Sequence, residues 1–149
     1  MTKPFIPRHV ITLEIQNFHV KSRFPNFNYR WSHGVGLWTG FIKPTPLSTS
    51  YKVKISYKLG SIPDVFVLEP ELKTRAGTVK IPHTYEAKRP CIYDPKTDWD
   101  KSRFIAETII PWFSLWLYFY EVWFQTGKWL GEGRHPEIKP DKSTGKGIE

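Results

Sequence analysis

Cysteine is nearly absent from this chain. Cys91 is the only thiol in 149 residues, which excludes an intramolecular disulfide framework and any multi-thiolate zinc site. A reducing compartment, the cytoplasm, is therefore expected. Long apolar runs are also missing. The best stretch, Ile109–Phe124, is short of a bilayer crossing and contains Pro111, Ser114 and Glu121, so a buried aromatic helix is the better reading. The N-terminus carries two prolines and no apolar run of signal-peptide length, so no export signal is visible. No Gly-x-Gly-x-x-Gly and no Gly-Lys-Ser/Thr phosphate loop occurs, and five scattered histidines give no ligand pair at metal-site spacing. No cofactor and no metal are expected. Acids are scarce at one end. Residues 1–60 hold Glu14 as their single acid against nine basic groups, whereas residues 61–149 hold 13 of each sign. The whole net charge of +8 thus sits in the first two-fifths of the chain.

Aromatics are abundant, at 16% of residues, which excludes a disordered linker protein and leaves one domain with a substantial core. Rings and positive charge do not coincide. The rings concentrate in Phe104–Trp129, where charge is balanced, and stacking nucleic-acid binders need both on one face, so the pattern argues against a nucleic-acid ligand.

Periodicity gives the layout. His9–Lys21 fits a helix with Ile11, Ile15 and Phe18 on its apolar side, although Ile11, Leu13 and Ile15 also fit period two. Phe24–Gly36 reads as a turn-rich approach to a strand at Leu37–Lys43. Tyr51–Lys58 alternates strictly, with Tyr51, Val53, Ile55 and Tyr57 against Lys52, Lys54, Ser56 and Lys58, as a strand with one buried face does. Asp64–Leu68 forms a further strand ended by Pro70. Short connections favour an antiparallel meander of three to four strands. Pro82–Trp99, with prolines at 82, 90 and 95, is a long irregular segment of the kind that often carries function. A helix is expected from about Ser102, and Pro111 either divides it or sits in the first turn of its second piece, which runs through Trp112–Gln125. Trp112, Trp116, Tyr120 and Trp123 form its core stripe. The fold class is α+β, with one domain over residues 1–136 and a polar, flexible tail at 137–149.

Cys91 lies in the proline-rich loop rather than on an apolar stripe, so it reads either as a thiolate nucleophile or as a small buried hydrophobe. Lys88 and Arg89 precede it. Asp94, Asp98 and Asp100 follow, either holding and deprotonating an incoming amine or forming a solvated loop surface. His83, eight residues upstream, and His135 make a Cys-His pair conceivable.

The arrangement resembles the ubiquitin-conjugating enzyme superfamily, and more narrowly its prokaryotic branch in bacterial antiphage operons of the CBASS type. Three blocks carry the resemblance: WTGFIKPTPLSTSYKVKISYKLGSIPDVFVLEPEL, IPHTYEAKRPCIYDP, and WDKSRFIAETIIPW leading into WLYFYEVWFQTGKWLGEGRHP. In the eukaryotic enzymes a His-Pro-Asn element precedes the active cysteine and a tryptophan follows it. Here His83 and Trp99 each stand eight residues from Cys91. The resemblance implies that Cys91 accepts the C-terminus of a partner protein as a thioester and passes it to a lysine amine. The donor it implies is the tail of a cyclic-oligonucleotide synthase or a ubiquitin-like protein, activated in trans or by a bypass. The family's oxyanion donor is the asparagine of His-Pro-Asn. The corresponding place here reads Pro82-His83-Thr84-Tyr85, so Thr84, His83 or a backbone N–H is expected to substitute, with His83 more often a loop-stabilising residue. Trp99 is expected to pack against the active-site loop. The family docks its upstream partner on the N-terminal helix and meander, so an acidic partner surface is expected at Lys21 and Arg23. A catalytically inactive module that only docks the synthase is the alternative.

Overall fold

The computed structural model describes residues 10–131, and the expected tail at 137–149 and His135 lie outside them. The element order is α1 (Leu13–Arg23), β1 (Asn28–Ser32), β2 (Val35–Ile42), β3 (Tyr51–Lys58), β4 (Asp64–Glu69) and α2 (Ile109–Thr126), with a short 3-10 turn at Glu86–Lys88 before α2. The strands form one antiparallel sheet in the order β1-β2-β3-β4. The α+β class and the meander stand as expected, and the sheet has four strands.

The alternating set on β3 behaves as its period requires: Tyr51, Val53, Ile55 and Tyr57 are buried and the lysines face outward. Opposite them on β2, Gly36, Trp38, Gly40 and Ile42 turn inward. Gly40 is glycine for want of space, because a Cβ there would stand 2.5 Å from the fully buried Phe27 ring and 2.7 Å from Asn26 Oδ1. Trp38, completely buried, donates its Nε1–H to Asn17 Oδ1 on α1 at 3.1 Å, which fixes that helix to the sheet. Trp112, Trp116, Tyr120 and Trp123 of α2 join the same core, and Trp99 packs edge-to-face on Tyr57 at 5.4 Å.

Three local readings are corrected. Residues 24–36 are not merely a turn-rich approach, since they contain β1 and a hairpin turn. His33 and Gly34 have φ of 52° and 80°, both in the left-handed region that a two-residue turn of the primed type needs. α1 starts at Leu13, capped by Thr12 Oγ1 accepting from Ile15 N–H at 3.2 Å. Its buried face is Leu13, Gln16 and Val20, whereas Ile15 and Phe18 are 47% and 67% exposed. Residues 102–108 are consecutive turns rather than helix. Asp100 Oδ1 accepts Ser102 N–H at 2.8 Å, Thr108 N–H reaches Phe104 O, and the first helical bond of α2 runs from Trp112 N–H to Thr108 O at 2.9 Å. Pro111 therefore falls in the first turn of α2, where its missing N–H has no helical acceptor to lose.

The turns at 102–108 are held from α1. Gln16, with no exposed surface, donates Nε2–H to Arg103 O at 2.8 Å and accepts Ile105 N–H on Oε1 at 2.9 Å. At the far end α2 stops at Gly127, whose φ of 85° and N–H to Trp123 O bond make a left-handed cap. The chain then turns so that the Trp129 ring lies 5.3 Å from Trp116.

Candidate active site

Cys91 closes a small hairpin. Its N–H donates to His83 O at 2.9 Å, Tyr85 N–H donates to Arg89 O at 2.7 Å, and Thr84 and Pro90 face each other between these two bonds. His83, Ala87 and Lys88 hold this shape at φ of 55°, 58° and 58°, values that non-glycine residues adopt only at a cost of about 1 kcal/mol or more each. Tertiary bonds hold the strained loop. Trp116 Nε1–H donates to His83 O at 3.0 Å, and Lys88 Nζ donates to Leu72 O at 2.8 Å and pairs with Glu71 Oε2 at 3.1 Å. The cysteine thus sits on a fixed backbone rather than on a loose loop. Its side chain is partly exposed, and Sγ lies 3.8 Å from Tyr93 O.

Alternation across the hairpin puts Tyr85, Arg89 and Cys91 on one face and Thr84 and Pro90 on the other. The Arg89 guanidinium lies 4.6 Å above the Tyr85 ring and is held by Asp64 of β4 at 3.3 Å. Burial first, and then the neighbouring Cys91 thiol, push the Tyr85 hydroxyl up to about 12, so it stays protonated and can donate throughout the neutral range. Tyr93, also raised by burial, donates its hydroxyl to Pro63 O at 2.6 Å. Beside the hairpin runs a groove of about 190 Å³ lined by Pro63, Asp64, Tyr85, Arg89 and both chain neighbours of Cys91, Pro90 and Ile92. Among the described residues no group of three or more His, Cys, Asp or Glu gathers to hold a metal ion.

Residues 16–136, more than half of the chain, match the family described as the type II CBASS E2 protein. The chain belongs to that family. As a type II CBASS E2 protein it is a component of the bacterial CBASS antiphage system, of the conjugation type by its family name, and it works with other CBASS proteins. No curated protein matches it. Among the described residues no helix is long and apolar enough to cross a membrane.

The residues singled out from the sequence fall in different places on this E2 protein. His83 meets Cys91 through its backbone carbonyl, while its ring packs 5.0 Å from Trp129. Thr84 donates its hydroxyl to Ile81 O at 2.8 Å. The three aspartates shape their own segment: Asp94 Oδ1 accepts Lys96 N–H, Asp98 Oδ2 accepts Asp94 N–H, and Asp100 binds the hydroxyl and N–H of Ser102. Lys21 Nζ donates to Pro25 O at 3.1 Å and Phe27 O at 3.0 Å, and Arg23 pairs with Glu107 at 3.4 Å. Tyr85 was not singled out. Its signal was its place in the pattern: in an antiparallel hairpin closed between 83 and 91, residue 85 is the diagonal neighbour of the cysteine.

Burial first, and then Lys80, hold His83 below its ordinary value. The folded protein therefore favours the neutral ring, and the unfolded chain takes up the proton at about pH 6.5. Lowering the pH through that value favours unfolding, an effect that levels off once the folded-state ring is also protonated. Thermal melts from pH 7.5 to 5 are expected to show a steeper loss of Tm for the native protein than for His83→Asn. Asparagine tolerates the left-handed backbone and does not titrate there.

Proposed function

We propose that this protein carries the C-terminal acyl group of a partner as a thioester on Cys91 Sγ and passes it to a lysine amine. The donor on this reading is the tail of a cyclic-oligonucleotide synthase, with a ubiquitin-like protein as the second choice. The observation that carries the reading is the partly exposed Cys91 on a backbone fixed from both sides, with its two chain neighbours lining an open groove. In loading, the sulfur attacks an already activated acyl carbon, an S–C bond forms, and the activating group leaves with the electron pair of its bond. The thioester keeps that carbon electrophilic for the amine. Asp94, Asp98 and Asp100 remain proposed as acids that attract the incoming lysine, and His83 and Thr84 as residues that hold the loop in which the reaction occurs.

The test is intact-mass analysis of the protein co-expressed with the other proteins of its operon. A thiol-cleavable adduct on Cys91 is expected, replaced in Cys91→Ser by an ester that survives thiol treatment. Stable co-purification of the synthase with no adduct in either protein would favour the docking-module reading. The basic surface at Lys21 and Arg23 is proposed to meet an acidic partner. Arg23→Glu is expected to slow loading several-fold at low salt, with the difference fading at high salt and Cys91 alkylation unchanged. Lys21→Glu is the less clean variant, because its ammonium also holds the turn at Pro25 and Phe27.

A further inference from the structure

We infer that the Tyr85 hydroxyl is the oxyanion donor of the transfer, a role that rests on the thioester reading of Cys91. Its position follows from the hairpin. The bonds Cys91 N–H to His83 O and Tyr85 N–H to Arg89 O fix the register, so the Tyr85 side chain rises on the same face as the thiol. The Arg89 guanidinium at 4.6 Å over the ring, itself pinned by Asp64, keeps the phenol from swinging into the groove. The other candidate side chains at this place are engaged elsewhere. The Thr84 hydroxyl is engaged with Ile81 O on the opposite face, and the His83 ring packs on Trp129. The phenol remains protonated up to about pH 12, so the donor does not titrate in the working range.

The chemistry needs a donor there. In the resting enzyme the phenol stands diagonally across the hairpin from Cys91, on the face of the thiol. Once Cys91 is acylated, the carbonyl oxygen lies two bonds beyond the sulfur, on the face from which the Tyr85 side chain rises. The lysine nitrogen attacks the acyl carbon, the N–C bond forms, and the carbonyl π pair moves onto oxygen, where the Tyr85 O–H meets it. Collapse restores the carbonyl and breaks the C–S bond. The pair goes to Sγ, and the ammonium proton passes to water.

A peptide thioester of a small thiol, exchanged onto Cys91 and discharged to free lysine with intact-mass detection, tests this without the natural donor. Tyr85→Phe keeps the ring and the Arg89 stacking and is expected to slow discharge on the order of 10²-fold, the usual effect of losing one oxyanion donor. Cys91 alkylation and the melting temperature should move far less, which separates a catalytic loss from a structural one. Equal discharge by wild type and Tyr85→Phe would overturn the inference and leave the thioester reading intact. Failure of the wild-type protein to accept or discharge the acyl group would overturn both.

Discussion

Gln16→Leu is expected to destabilise the protein by about 2–3 kcal/mol even though leucine fits the space. The loss comes from what the amide holds. Gln16 is fully buried and bridges Arg103 O and Ile105 N–H. Leucine satisfies neither, and the buried Ile105 N–H has no water to turn to, so its full desolvation penalty appears. The exposed Arg103 side of the turn can rehydrate and adds less. A Tm drop of roughly 10 °C in differential scanning calorimetry is the corresponding readout. A Gln16→Leu protein that melts with the native one would mean that the turns at 102–108 are held by α2 alone.

Cys91→Ala is expected to do the reverse, leaving stability nearly unchanged and removing transfer by roughly 10³-fold or more. The fold does not depend on the sulfur. The hairpin is closed by the Cys91 N–H and the His83 carbonyl, both main-chain groups, and the side chain is only partly buried. On the thioester reading the chemistry depends on it entirely, since no second cysteine exists to take the acyl group. Alanine removes the nucleophile and serine replaces it with a weaker one, so alanine should show no adduct and serine a slowly formed ester. Conjugation that persists in Cys91→Ala, measured by intact mass and non-reducing gels, would sink the thioester reading.

What could be read from the sequence followed the strength of the local signal. Tyr51–Lys58 was legible to the residue, because period-two alternation is set by the pleat and its buried face admits one register only. The Trp112, Trp116, Tyr120, Trp123 stripe was legible for the corresponding reason at helical period. β1 was not. It is an edge strand with one neighbour and a mostly exposed face, so nothing forces its residues to alternate, and its turn at His33-Gly34 lacks the commoner Asn-Gly signature. The apolar face of α1 was misread because three aliphatic and aromatic residues suggested one side. The packed side is decided by Gln16, a polar residue whose partners lie almost ninety positions downstream.

The same division runs through the site. Composition was enough to exclude an intramolecular disulfide framework and thiolate-zinc chemistry, since those depend on how many groups are present and not on where they are, whereas the reading of Cys91 as the acyl carrier came from the family resemblance. The α+β class and the meander also followed from the sequence, being built from signals that span a few residues each. Which side chain shares the hairpin face with Cys91, what the aspartates bind, and what Lys21 and Arg23 hold were decided by the tertiary structure alone. The placing of Tyr85 depends on a strained hairpin whose left-handed residues are His83, Ala87 and Lys88 rather than glycines, and which is kept in shape by Trp116, Leu72 and Glu71. Such backbone geometry is imposed by distant packing, and no local pattern of residues encodes it.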